Sequence, residues 1–287
     1  MDIKLLRAFV TLARLGWYHP AAEILCVTQP ALTKQIQTLE NLTGATLFQR
    51  GRHGAKLTVA GELLLPGASE VLARYDLFWS EVTGIRKGNA GKLVLGFGIS
   101  SFRLAPERVA AFRSQHPDVQ VSLNDMPSAV QFQQLAEGQL QVGFVRLPAP
   151  EQLESRILAE ERLVLAVAAD SYSDSSDMRK LIEKNQLLQI SPKRGEGLSA
   201  QASCFLAENN LTPQRVSAAD DIQTLLALVA GGGGVALLPE SVIHILPAGI
   251  MLVPLEGKHT AWQTGIAWNA GIKDPVRDNF LTVMAVQ

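Results

Sequence analysis

The sequence predicts an α/β protein in three parts: a small winged helix-turn-helix module, a long linker helix, and a large body of alternating strands and helices. Three observations predict it. Residues 1–58 hold seven basic side chains against three acidic ones, whereas the other 229 residues carry a net charge of −5. Apolar residues recur at helical spacing through the first forty positions. Beyond residue 91, short β-rich runs alternate with helical stretches, the signature of a mostly parallel sheet.

The first helix follows from Leu5, Leu6, Phe9, Val10, Leu12 and Ala13, and ends near Gly16. Ala21–Leu25 gives a short second helix with Pro20 in its first turn, where the missing N–H matters little. Val27-Thr28 forms the turn, and Thr28 is the expected N-cap of a third helix from Gln29 to about Asn41. Leu32, Ile36 and Leu39 mark its inner face; Gln29, Thr33, Lys34 and Gln37 mark the outer one. Such a face suits the major groove, where Gln pairs with adenine edges and Lys with guanine or phosphate. Thr33 adds a hydroxyl and a methyl. Phe48–Thr58 then alternates around two glycines like a hairpin wing, with Arg50, Arg52 and Lys56 placed for phosphates or a minor groove. The alternative is a three-helix packing module with a solvated polar face.

From Val59 to about Lys87, Leu63, Leu64, Val71, Leu72, Tyr75, Phe78, Trp79 and Val82 form an apolar stripe. A stripe on a long helix needs a cover, either a second copy or the chain's own body. Pro66-Gly67 weakens the helix locally, and Gly88-Asn89-Ala90-Gly91 reads as a hinge. In the body, strands are expected at Leu93–Gly98, Val119–Asn124 and Gln141–Val145, with helices at Ala105–Gln115 and Ala129–Glu137. A second set has strands at Leu163–Ala168, Leu188–Ile190, Val216–Ala218 and Val235–Leu238, and helices near Met178–Glu183, Ala200–Asn209 and Asp221–Ala230. Ile222–Pro239 is 18 residues without a charge, close to spanning length, but four consecutive glycines break any helix there, so no membrane is expected.

Open α/β sheets gather ligands at the carboxyl ends of their strands. Ser100 and Ser101 follow the first strand of the body, Pro127-Ser128 the second, and Phe144-Val145-Arg146 the third. Arg146 offers a guanidinium suited to a carboxylate. Leu198-Ser199, ahead of a helix in the second set, is placed to close over a ligand. The alternative is that the serines cap a helix and Arg146 pairs with a surface acid.

Enzyme chemistry finds little support. Gly96-Phe97-Gly98-Ile99-Ser100-Ser101 lacks the last glycine of a dinucleotide fingerprint, and Gly231–Gly234 follows a helix instead of a strand. No Walker A or nucleophile-elbow sequence occurs. The five histidines show no ligand spacing, so neither a metal nor any other cofactor is implied. Two cysteines, Cys26 and Cys204, make no disulfide framework; with no apolar leader at the N-terminus, a reducing cytoplasm is the expected compartment. Cys26 is expected in the core of the helix-turn-helix.

Leu6-Arg7-Ala8-Phe9-Val10, Ala21-Ala22-Glu23, Val27 through Ile36, Leu39-Glu40, Gly44, Leu47-Phe48, Arg50 and Leu57–Gly61 closely resemble the LysR-type transcriptional regulators, in order and without gaps over about 65 residues. The weaker likeness continues through the chain. The resemblance implies a DNA-binding domain over 1–58, a dimerising linker with hinge over 59–90, and a periplasmic-binding-protein-like effector domain over 91–287. In that domain the chain crosses near Arg162 and returns near Ala267, giving lobes of about 91–161 with 268–287, and 162–267. By position, Gln29, Pro30, Thr33 and Lys34 match the recognition-helix contacts, and Arg50, Arg52 and His53 match the wing. The effector positions are those at Ser100, Ser101, Pro127, Ser128, Phe144, Arg146, Leu198 and Ser199. The implied partners are double-stranded DNA, a small effector that is anionic if Arg146 binds it, further copies in a dimer of dimers, and RNA polymerase if the outcome is activation. Gly16-Trp17-Tyr18-His19-Pro20 departs from the family, which has a serine after this glycine; the loss puts the phosphate contact of helix two in doubt. A competing class is a small-molecule sensor whose N-terminal module contacts other proteins.

Overall fold

In a computed structural model the described residues are 2–51, 54–172 and 177–285. They form two compact units, Met1–Gly84 and Ile85–Gln287.

The first unit begins with α1 (Ile3–Leu15), N-capped by Asp2, whose carboxylate accepts from the Lys4 N–H at 3.0 Å. Then comes α2 (Tyr18–Ile24), with Pro20 in its first turn as expected. The turn leads to α3 (Gln29–Thr43), where the Thr28 hydroxyl accepts from the Ala31 N–H at 3.3 Å. Strands β1 (Phe48–Gly51) and β2 (Gly54–Leu57) pair antiparallel as the wing. Glu40 ties wing to helix, accepting from the backbone N–H of Leu47 at 2.7 Å and of Phe48 at 3.2 Å. Phe9, Leu12, Leu32, Ile36, Leu39 and Leu47 fill the core, with Phe9 and Phe48 in edge contact at 5.6 Å. Removing one such ring typically costs about 3–5 kcal/mol.

One expectation fails in this unit. Cys26 is exposed, in the turn between α2 and α3, with φ 54. The left-handed backbone that reverses the chain there carries its side chain away from the core.

The linker helix α4 (Val59–Arg86) runs unbroken through Pro66. Ala68 and Leu72 join the module's core, while Leu63, Val71, Leu77, Phe78 and Trp79 remain exposed.

The second unit has two lobes built on one continuous sheet, ordered β4-β3-β5-β11-β6-β9-β7-β8, with β10 beside β6. Lobe one starts with β3 (Ala90–Phe97), α5 (Leu104–Gln115), β4 (Asp118–Asp125), α6 (Ser128–Ala136) and β5 (Val142–Arg146). Its parallel ladder already includes Ala90 and Gly91, opposite Asp118 and Val119, so those two residues belong to a strand instead of a hinge. Strand β6 (Glu154–Ala168) then crosses between lobes and is far longer than the apolar run Leu163–Ala168 suggested. Its charged first half escapes a hydrophobic reading.

Lobe two comprises α7 (Met178–Lys184), β7 (Gln186–Ile190), α8 (Pro192–Glu208), β8 (Arg215–Ala219), α9 (Ile222–Ala230), β9 (Val235–Pro239) and β10 (Ile250–Pro254). Helix α8 opens at Pro192, not Ala200, across an irregular Gly195. Leu198 and Ser199 consequently sit inside the helix, not ahead of it. The chain returns through β11 (Ala261–Trp268) and finishes with α10 (Pro275–Ala285). Within β11, Gly265 marks a bulge against β6; a Cβ there would stand 2.2 Å from the Arg156 carbonyl oxygen.

Candidate nucleic-acid interface and ligand cleft

In the first unit, burial of Leu32, Ile36 and Leu39 fixes which side of α3 faces out. Gln29, Pro30, Lys34 and Gln37 are exposed and Thr33 is half-buried, so all five lie on or beside one accessible face. In the wing, Gln49 opposes Lys56 and Arg50 opposes Ala55. Arg52 and His53 lie outside the described residues.

Trp17 is the residue that departs from the expected serine. It stands at the N-cap of α2 and provides no side-chain cap. Instead its ring lies against Gly54 at the start of β2, where a Cβ would come within 3.3 Å of the indole. The adjoining backbone closes the same corner, the Ala55 N–H donating to the Gly16 carbonyl at 2.7 Å. The ring remains 53% exposed, so one side braces the wing and the other faces solvent.

In the second unit a cleft of about 1070 Å³ lies between the lobes. Ser100, Ser101, Pro127, Ser128, Phe144, Arg146 and Leu198 all line it; Ser199 does not. The Ser101 hydroxyl is engaged locally, donating to the Gly98 carbonyl at 3.1 Å. Ser128 opens α6, and its Oγ accepts from the Arg146 backbone N–H at 3.0 Å, leaving the hydroxyl proton available. No side chain caps α6.

Arg146 is held from several sides in the cleft. Its Nη1 donates to the Gly197 carbonyl at 2.7 Å and its Nη2 to the Gln201 side-chain carbonyl, both on α8. The guanidinium lies 4.5 Å from the centre of the Trp262 ring. Burial lowers its pKa, an effect the nearby Cys204 opposes. Sequence reading missed Gln201, which lies within an expected helix but carries no motif, and Trp262, which lies on a strand that hydrophobic patterning does not resolve.

The remaining charges of the cleft are mostly satisfied internally. Arg103 pairs with Glu107 at 2.9 Å, and Arg194 donates to the Asp220 carbonyl at 3.3 Å. Asp221 accepts from the Thr224 backbone N–H at 2.7 Å and hydroxyl at 2.8 Å, which holds its carboxyl below the usual range. Asp125 and Glu196 also line the cleft, so five carboxylates face three guanidiniums. Among the described residues, no cluster of His, Cys, Asp and Glu is arranged to hold a metal, and no helix is long and apolar enough to cross a membrane.

Two family models match: the lysR-family bacterial regulatory helix-turn-helix protein over residues 3–62, and the LysR substrate binding domain over residues 86–285. The chain belongs to the LysR family. This LysR-type chain is 30% identical to the HTH-type transcriptional regulator BenM of Acinetobacter baylyi over 89% of its own length and 86% of that protein's. It is 28% identical to IlvR of Caulobacter vibrioides, covering 99% and 97%. Its fold matches the crystal structure of CbnR, a LysR family transcriptional regulator, with a TM-score of 0.81, 26% identity and 99% of each chain covered. Full-length CbnR in complex with its target DNA matches at 0.77, with 25% identity and coverage of 99% and 98%. The protein is therefore a LysR-type DNA-binding transcriptional regulator with an effector-binding domain, not an enzyme.

Proposed function

We propose that this regulator reads its operator with the outer face of α3 and responds to a small monocarboxylate held in the interlobe cleft. Gln29 and Thr33 contact base edges, Lys34 contacts phosphate, and Pro30 and Gln37 complete the face; Arg50, Arg52 and His53 of the wing reach the flanking backbone. The domain division of 1–58, 59–90 and 91–287 belongs to the same reading. So do a cytoplasmic location, a dimer of dimers formed through the exposed stripe of α4, and contact with RNA polymerase if the outcome is activation.

The observation that supports the ligand class is Arg146, a stacked guanidinium on a cleft wall otherwise rich in apolar side chains. A carboxylate there gains charge-assisted hydrogen bonds, with the Ser128 hydroxyl and the uncapped N–H groups of α6 nearby. The five carboxylates of the lining disfavour a second negative charge, so the ligand is an apolar body with one acidic group. Binding acts by linkage: differential affinity for two lobe arrangements shifts how the paired reading heads sit on their half-sites.

The test is a calorimetric titration of simple aromatic and aliphatic monocarboxylates, each beside its neutral amide. The reading expects at least one acid to bind, its amide to bind at least about tenfold more weakly, and Arg146→Ala to abolish the difference. An acid bound equally well by the Arg146→Ala variant would move the anion site elsewhere.

A further inference from the structure

Arg146 is at the end of β5 in lobe one, yet both of its terminal nitrogens bond acceptors on α8 of lobe two. One acceptor is a main-chain carbonyl at Gly197. The other is the side chain of Gln201, a residue only 8% exposed and therefore a polar group held between the lobes. Gln201 is itself fixed from its other end, because its Nε2 donates to the His259 carbonyl in the loop before β11. Trp262, near the start of β11, supports the face of the guanidinium. Gly197 permits the approach, since a Cβ there would lie 3.3 Å from the Arg146 Cδ.

We propose that Arg146, Gln201 and Trp262 form a lobe-to-lobe latch: in the ligand-free protein the guanidinium holds α8 against lobe one, and an anion entering the cleft draws the same guanidinium from α8. Gln201 is then a positioning residue that sets the ligand threshold without contacting the ligand. Weakening the latch lowers the ligand concentration needed for release, because fewer bonds to α8 oppose it. The other polar tie near the crossing, Ser241 Oγ donating to Glu161 at 2.6 Å, joins lobe two to the crossing strand itself and survives a rotation about that strand. A rotation about that strand must break the latch, since the guanidinium is on lobe one and both acceptors are on α8.

This inference rests on the cleft reading above only for what displaces the latch; the latch itself is tested without ligand. Hydrogen exchange of the full chain is compared for wild type, Gln201→Ala, Arg146→Met and the double variant. Either single change should speed exchange of the α8 amides following Gly197 by roughly tenfold, the worth of a hydrogen bond to a charged group. The double variant should exchange less fast than the two effects combined, because both changes remove the same Arg146–Gln201 bond, and the strands beneath α8 should be unchanged. Unaltered α8 exchange in Gln201→Ala, or effects that simply add, would overturn the latch. If Arg146→Met unfolds the domain, Arg146→Lys takes its place, since it keeps the charge but loses the fork geometry. Failure of the cleft reading would show separately, as carboxylate binding that ignores Arg146.

Discussion

Trp17 lies against Gly54 at the corner where α2 begins and β2 starts, its indole 3.3 Å from where a Cβ on the glycine would stand. Gly54 has φ +99, and a Cβ there would stand 2.4 Å from the Gly16 carbonyl oxygen as well as against the indole. Gly54→Ala is expected to destabilise the first unit by about 1–3 kcal/mol through backbone strain, read by denaturant titration. An unchanged midpoint would mean that the corner is free to relax.

The same contact predicts the consequence of losing the ring. Trp17→Ala leaves α2 intact, because its side chain makes no cap hydrogen bond. It removes the brace on the wing, whose basic residues, on the proposed reading, contact the DNA backbone. Affinity should fall by a similar factor on operator and random DNA. A selective loss on the operator would show that Trp17 participates in base readout.

On α3, Lys34 is exposed and its side chain has no ion-pair partner among the described residues. Lys34→Ala should weaken binding on all sequences and reduce the slope of log affinity against log salt by about 1. Thr33→Ala or Gln29→Ala should instead relax discrimination by about 1–3 kcal/mol at single base positions. Equal losses on operator and random DNA would make Thr33 and Gln29 positioning residues.

Acid should loosen the seat of the linker helix. Arg7 on α1 bonds Asp76 on α4 at 2.5 Å, and this hydrogen bond, reinforced by the charge, holds the Asp76 carboxyl below the ordinary carboxylate range. A carboxyl depressed in the folded state contributes its stability above the unfolded value near pH 4, and loses it as pH falls through the folded value. The melting temperature should therefore decline on acidification below about pH 4, with part of that dependence absent in Asp76→Asn. High salt should shrink the same contribution, since both side chains are well exposed.

Much of this architecture was legible in the sequence because its signals are local. The three helices of the first unit follow from apolar spacing, Thr28 announces α3, and the glycines frame the wing. The parallel ladders appear as short apolar runs. What escaped is held by long-range pairing. Glu154–Arg162 carries five charged residues and is a strand because β11 lies beside it; β11 is interrupted by Gly265, which the bulge demands. The start of α8 was hidden by two glycines and a proline.

The site divides in the same way. Ser100, Pro127, Ser128, Phe144 and Arg146 line the cleft as strand ends should, whereas Ser199, displaced into the second turn of α8, does not. Gln201 and Trp262 carry no motif. Their meaning arises only when α8 and β11 bring them to Arg146.

The central claim is that α3 and the wing bind a specific operator under control of the cleft. Its most direct test is footprinting of the full chain on the DNA flanking its own gene, across a salt series and beside Lys34→Ala. The account predicts an interrupted, salt-sensitive footprint over two separated half-sites, weakened and less salt-dependent in the variant. Diffuse coverage at low salt, identical in wild type and Lys34→Ala, would contradict it.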